Sequence, residues 1–264
     1  MGTASICPYC GTGRNSVKSN VLHFKNAVAS SDSYCDLIFK VTIGMYIIEI
    51  LTGVFLFGGN IFSTIFSGPN ARALLMLGAS SPAALSDNWW APFTASLLHG
   101  GIMHIGFNLF ALKIIGPLIE QATTKSFFLL SYILTGASGF VLSAMGGSLS
   151  VGASASIYGL LGCGIAISFI LGQGKDDPLF RSLVAWLIYG VIFAALIPGI
   201  DHLAHLGGLI GGLVMGFIWT KLRAAVWFRG FSEKIALIFV AVTLIGFLNS
   251  VIFYFGLFRS VGIL

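Results

Sequence analysis

Ser154, His205, His104 and Asn108 are the residues of this sequence whose chemistry fits least with where they sit. Each lies inside or at the edge of a long apolar run, where ionisable and strongly polar side chains are costly and mark functional candidates. A serine hydroxyl beside a histidine base is the minimum apparatus for nucleophilic acyl transfer. Gly152-Ala153-Ser154-Ala155 puts that serine on a turn just before an apolar run, where the free N–H groups of a helix start face incoming negative charge. His104 and Asn108, four apart on one helical face, add side-chain donors to such an oxyanion site. The polar residues at this depth are Glu49, His99, His104, Asn108, Glu120, Ser154, Tyr158, Asp201, His202 and His205.

The elements that carry them follow from composition. Of 264 residues, 56% are hydrophobic and 9% charged, whereas a soluble domain carries about 25% charged residues. So little charge cannot cover a water-facing surface, and the chain is read as a polytopic membrane protein. The 34 glycines support this, because small residues let helices approach closely in lipid; they follow no three-residue period, which excludes a collagen-like chain. Seven spans are expected, near Ile38–Phe57, Leu98–Gly116, Ser126–Met145, Ser154–Leu171, Leu183–Pro198, His202–Thr220 and Ile235–Phe255. The runs lack period-two alternation, which excludes a β-barrel.

Net charge is +5, but its placement reads as topology and no nucleic-acid partner is expected. With the N-terminus cytoplasmic, 12 of the 14 basic residues fall on the inner side and only Arg72 and Arg259 on the outer, the asymmetry that sets orientation. The C-terminus is then outside, and the plasma membrane is the expected location. No cleavable leader is expected, since the first apolar run begins near Ile38 and is long enough to span.

This orientation places the reactive residues together. The second, fourth and sixth spans all run from outside to inside, so His99, His104 and Asn108, then Ser154, then His205 converge on the outer leaflet. His205, Gly208, Gly212 and Gly216 follow i, i+3, i+7, i+11, one stripe of a helix, and Ser154 leads into Gly159, Gly162, Cys163 and Gly164, a second surface suited to close contact. Packing of the two would bring the Ser154 hydroxyl and the His205 imidazole within hydrogen-bond reach.

Two segments flank this core. Residues 1–37 form a polar N-terminal segment ahead of a membrane domain at 38–264, within which the core covers about 38–220 and the seventh helix about 235–255. The segment holds Cys7-Pro8-Tyr9-Cys10, half of many zinc sites, and His23 and Cys35 could complete four ligands; the alternative is a short reduced tail. Between the first two spans, Gly58–Ser96 is too long for a turn. Arg72 and Asp87 argue against a crossing there, and Trp89 and Trp90 suit the membrane interface.

From Trp89 to Gly216 the sequence resembles the rhomboid intramembrane serine proteases. The run from His99 to Asn108, His-Gly-Gly-Ile-Met-His-Ile-Gly-Phe-Asn, is similar to that family's second-helix signature; Gly152-Ala153-Ser154 resembles its G-x-S motif, and Ala204-His205-Leu206-Gly207-Gly208 its sixth-helix histidine motif. The resemblance implies a six-helix rhomboid-like core plus a C-terminal seventh transmembrane helix, all-α and polytopic. It also implies a serine endopeptidase acting in or near the transmembrane segments of other membrane proteins, surrounded by lipid and needing no cofactor. Ser154 would be nucleophile and His205 base, with His104, Asn108 and the Ser154 N–H as oxyanion donors. Tyr158 would pack on the histidine, His99 would be structural, and Glu120 would brace the inner side. Ala155 stands where the family has glycine, bringing a methyl toward the substrate carbonyl, and Trp90-Ala91 stands where its first loop has tryptophan-arginine.

Two other functions fit parts of the pattern. His99, His104, His202 and His205 could ligate a metal in an intramembrane hydrolase, although the spacing of His99 and His104 turns their rings about 140° apart on a regular helix. A non-catalytic relative that binds membrane clients is the third reading, with Ala155 as its support.

Overall fold

The computed structural model describes residues 33–264; Cys7, Cys10 and His23 lie outside the described residues. Among the described residues there are ten α-helices: α1 Tyr34–Phe55, α2 Ile61–Ser67, α3 Ala71–Met76, α4 Ala91–Thr94, α5 Ile102–Ala122, α6 Lys125–Met145, α7 Ser154–Leu171, α8 Pro178–Leu196, α9 His202–Leu222 and α10 Val226–Ser260. Seven of these are long and apolar enough to cross a membrane, so the protein is an all-α, multi-pass membrane protein. The only β pairing among the described residues is a single bridge in which Ser80 and Ser150 exchange amide hydrogen bonds of 3.1 and 2.8 Å.

The helix ends are set by side chains that satisfy otherwise orphaned backbone groups. Ser33 caps α1, Thr124 caps α6, Asp177 caps α8 ahead of Pro178, and Asp201 caps α9. These caps explain where hydropathy misplaces boundaries. The first span begins at Tyr34, because Ser33 and Glu120 hold its first turn, and the fifth begins at Pro178 rather than Leu183, because Asp177 and the proline start it there. The second span begins at Ile102, four residues after Leu98: Gly101 has φ +129°, which favours glycine, and leaves 98–101 as a bend. The seventh runs 35 residues, about 52 Å at 1.5 Å per residue, well beyond Ile235–Phe255.

The most buried spans are α6 and α7; α8 and α10 lie at the periphery. The closest packing is between α7 and α9. A Cβ added to Gly208 or Gly212 would collide with the carbonyl oxygens of Ala155 and Gly159, and one on Gly216 would lie 2.5 Å from that of Cys163. Each glycine of one helix thus faces a backbone carbonyl of the other, repeating every four residues. Gly162 reciprocates against the Leu209 carbonyl. Gly164 does not share this surface: its free side faces Ile119 and Leu183, so it packs on α5 and α8, about 100° per residue around the helix from its neighbours.

Residues 58–96 fold into short helices and turns, none long enough to span. The end of α10 holds them: Trp90 Nε1 donates to Ser250 Oγ at 2.8 Å, Asn88 Nδ2 to the Tyr254 hydroxyl at 2.6 Å, and Tyr254 and Phe258 pack on Met76. At its other end α10 places Phe228 against Phe127 and Trp219.

Gly212→Val is expected to lower unfolding stability by about 1–3 kcal/mol through overpacking, measured by thermal unfolding in detergent. Gly44→Ala, whose added methyl meets nothing within 4 Å, should be neutral or slightly stabilising. Tyr254→Phe, which strips the Asn88 amide of its acceptor, should cost about 1 kcal/mol and speed proteolysis within residues 78–98.

Candidate active site

Ser154 is the first residue of α7, and Gly152, with φ +125°, makes the turn before it. The turn is fixed by backbone: Gly152 N donates to Ala95 O at 3.0 Å. His205, in the first turn of α9, points at Ser154 because the Gly208–Ala155 and Gly212–Gly159 contacts fix how the two helices face. Its Nε2 lies 2.9 Å from Ser154 Oγ. Tyr158, one turn along α7, stacks on the His205 ring at 4.1 Å between centroids and 13° between planes.

His104 and Asn108 reach the same point from α5. The His104 Nδ1 accepts the Gly100 amide at 3.2 Å, so the proton of the neutral ring sits on Nε2, which is then a donor. A Cβ on Gly152 would lie 2.6 Å from that Nε2 and 3.4 Å from Asn108 Nδ2. Both donors therefore face the backbone that leads into Ser154. Asn108 Nδ2 is buried with no acceptor among the described residues, as expected of a donor aimed where an oxyanion would form.

His99 is fully buried and sits behind the turn: its Nε2 accepts the Ala153 amide at 3.3 Å, and its ring meets His104 edge-on at 5.1 Å. Burial, then the neighbouring His104, hold it well below the usual histidine range, which keeps it neutral and able to accept. Glu49, unassigned by sequence, is also fully buried, and its Oε2 accepts the His99 amide at 2.9 Å. Its only sequence signal was the cost of a carboxyl in mid-span. Asp201 lines the cavity and accepts the Ser143 hydroxyl and the Ala204 amide. Burial raises its carboxyl, but those hydrogen bonds outweigh it and hold it below the usual range.

Ser154, His205, His104, Asn108 and Tyr158 line one cavity of about 520 Å³, walled by apolar side chains including Phe66, Met103, Phe107 and Phe193. Glu120 lies at the other end of α5, some 24 Å from His104 along the helix at 1.5 Å per residue. There it accepts Ser33 Oγ at 2.6 Å and Tyr34 N at 2.8 Å. Cys35 is buried in α1 with its thiol on the Leu112 carbonyl at 3.5 Å. The four histidines of the metal reading do not converge: His99 and His104 each use a ring nitrogen on a backbone amide, and His202 is exposed while His205 faces Ser154. Among the described residues no group of three metal-ligating side chains forms.

Residues 86–222 match the family model described as Rhomboid domain. The chain belongs to the rhomboid family. It is 33% identical over 175 residues to RHOMBOID-like protein 6, mitochondrial, of Arabidopsis thaliana, an alignment of 64% of this chain and 57% of that one. To Rhomboid protease GluP of Bacillus subtilis it is 29% identical over 190 residues, 71% of this chain and 36% of that one. To Putative rhomboid protease YdcA of the same organism it is 29% identical over 141 residues, 52% and 71%. The first two alignments thus span little more than half, and about a third, of those relatives' length.

Both departures from the rhomboid pattern have a structural counterpart. The Ala155 methyl is fully buried against Ala95, Phe140 and Ala204, and Ala155 is not among the residues that line the cavity. The loop that lacks arginine after Trp90 is tied to α10 through the Trp90 indole instead.

Gly152→Ala should abolish most reactivity of Ser154 toward a fluorophosphonate, because the new methyl strains a left-handed residue by about 1–2 kcal/mol and displaces His104. Labelling rate at matched expression is the measurement.

Proposed function

We propose that this rhomboid-family chain is an intramembrane serine endopeptidase that hydrolyses peptide bonds in or near the transmembrane segments of other membrane proteins. The observation that carries this reading is the 2.9 Å approach of Ser154 Oγ to His205 Nε2 inside the cavity, with His104 Nε2 and Asn108 Nδ2 beside the Gly152 turn that leads into Ser154. Relatives named rhomboid proteases support it.

The reaction follows from the geometry. Neutral His205 accepts the Ser154 proton on Nε2 as Oγ attacks the scissile carbonyl carbon. The carbonyl oxygen takes up the negative charge and is held by the three donors, each worth about 3–4 kcal/mol to such a transition state when preorganised. His205 then gives the proton to the leaving amine, the C–N bond breaks, and an acyl ester remains on Ser154. A water loses a proton to His205 as it attacks the ester, the proton passes to Oγ as the C–O bond breaks, and the carboxylic acid product leaves and ionises in solvent. No carboxylate hydrogen-bonds His205 among the described residues, and the Tyr158 ring takes over the orienting task by holding the imidazole plane.

The site lies at the N-terminal ends of α5, α7 and α9. With the basic residues concentrated on the cytoplasmic side, that end faces outward, so substrates and water enter from the outer face. The N-terminal segment is then cytoplasmic, in a protein of the plasma membrane.

Detergent-purified wild type should cleave a single-span substrate containing a helix-breaking residue, while Ser154→Ala and His205→Ala, shown to be folded, should not. Equal cleavage by all three would remove both residues from the chemistry; binding without cleavage by wild type would favour a client-binding role. Tyr158→Phe preserves the stack and should retain most turnover, whereas Tyr158→Ala should lose about tenfold or more in kcat.

A further inference from the structure

Glu49 is a carboxyl with no role in the reaction as written, fully buried in α1 where a leucine would pack without the cost of taking charge or polarity out of water. Of its two oxygens, Oε2 accepts the His99 amide at 2.9 Å and Oε1 is buried with no donor among the described residues. What it holds is the bend at 98–101, the piece of backbone between the turn at Ala95–Leu97 and α5. Two paths lead from that bend to the site. The His99 imidazole accepts the Ala153 amide at 3.3 Å, one residue before Ser154, and the next amide, Gly100 N, donates to His104 Nδ1 at 3.2 Å, which fixes the ring and leaves its proton on Nε2. Both the turn that carries the nucleophile and one oxyanion donor are therefore referred back to the same two backbone amides.

We propose that Glu49 is a positioning residue: by accepting the His99 amide it fixes the His99–Gly100 backbone, and through it the Ala153–Ser154 turn and the His104 ring. The inference rests on the hydrolase reading above for its effect on rate, but not for the hydrogen-bond relay itself. The role needs an acceptor and no negative charge, since the partner is a neutral amide and no cation lies on Glu49 among the described residues. A glutamine has the same shape and offers the same carbonyl oxygen; a leucine fills the space and leaves the amide orphaned.

The test uses the full chain in detergent as wild type, Glu49→Gln and Glu49→Leu. Two readouts are taken: the rate at which a fluorophosphonate modifies Ser154, and amide hydrogen exchange of peptides covering 98–106 and 150–160, with α8 as control. Glu49→Leu should slow phosphonylation about 10- to 100-fold, the scale of a small misplacement of reacting groups, and speed exchange in both peptides while α8 is unchanged. Where substrate cleavage is measured, kcat should fall with KM held within about twofold. Glu49→Gln should stay within about threefold of wild type in every readout. A leucine variant that behaves as wild type, a glutamine variant as impaired as leucine, or exchange that rises evenly over all helices would each overturn the proposal. A wild type inert to the phosphonate would count against the hydrolase reading, while the exchange comparison would still decide whether Glu49 holds the bend.

Discussion

The contact between α7 and α9 is made by backbone against backbone, and the geometry of the site descends from it. Lipid supplies no hydrophobic force between two apolar helices, so close approach must come from dispersion and from the absence of side chains in between. Gly208, Gly212 and Gly216 meet the carbonyls of Ala155, Gly159 and Cys163 in a repeat of four on each helix. Sliding by a single residue in one direction would put Leu209 and Leu213 where glycine is required, in the other it would put Met215 in place of Gly216, and sliding by a turn would move His205 about 5.4 Å along α9. A third helix closes the arrangement, since Gly139 of α6 abuts Ala204 and Ala155, and Ser138 donates to the Gly207 carbonyl at 3.0 Å. The 2.9 Å separation of His205 and Ser154 is thus maintained by residues outside the cavity's polar cluster.

A second layer of constraint acts through backbone amides. Burying neutral imidazoles and carboxyls is unfavourable unless they find partners, and around this cavity many of the partners are main-chain N–H groups: Gly100 for His104, Ala153 for His99, His99 for Glu49 and Ala204 for Asp201. Each such bond fixes a side chain and a piece of loop at once. That arrangement suits a site assembled from a bend and a turn, which would otherwise be its least ordered parts. The bend is crowded from outside as well: a Cβ on Gly68 would lie 2.5 Å from the Gly100 carbonyl carbon, and one on Gly101 would lie 2.6 Å from the Phe66 carbonyl oxygen. The first loop and the helix entry were fitted to each other with no room for side chains.

Much of this was legible in the sequence. Apolar length and the charges and loop residues between runs located the seven spans, the glycine stripe of the sixth announced the close contact, and the positions of the polar residues near helix starts anticipated the meeting of serine, histidines and asparagine. What escaped was information carried by tertiary contacts. Gly164 counts as a small residue wherever it falls, and only the direction of its free side separates it from Gly162. Glu49 stood out as costly, but its partner is a backbone amide fifty residues away, which no spacing rule reports. The seventh helix exceeded its apolar stretch because residues 226–234 mix aromatic with charged and small residues, while Phe228 among them packs on Phe127 and Trp219. Cys35 suggested a ligand by its place after a C-x2-C; its side chain instead fills a space beside Gly116.

The seventh helix bears on the site more than its position at the edge suggests. The first loop must hold Ala95, because the Ala95 carbonyl receives the Gly152 amide, and it must hold Ser80, because the bridge to Ser150 sets the strand of chain entering that turn. Both anchor points are in turn supported from α10. Thr94 donates to the Gly78 carbonyl at 2.5 Å, and Gly78 and Thr94 lie against Ser250 and Gly246 of α10, next to the Trp90 indole. A loop in which tryptophan is followed by alanine has no guanidinium at that position, and indole and hydroxyl groups tie it across to a helix instead. The turn before Ser154 is therefore coupled through the loop to the C-terminal helix, so that loosening α10 at Ser250 or Tyr254 is expected to act on the position of Gly152 through Ala95 and Ser80.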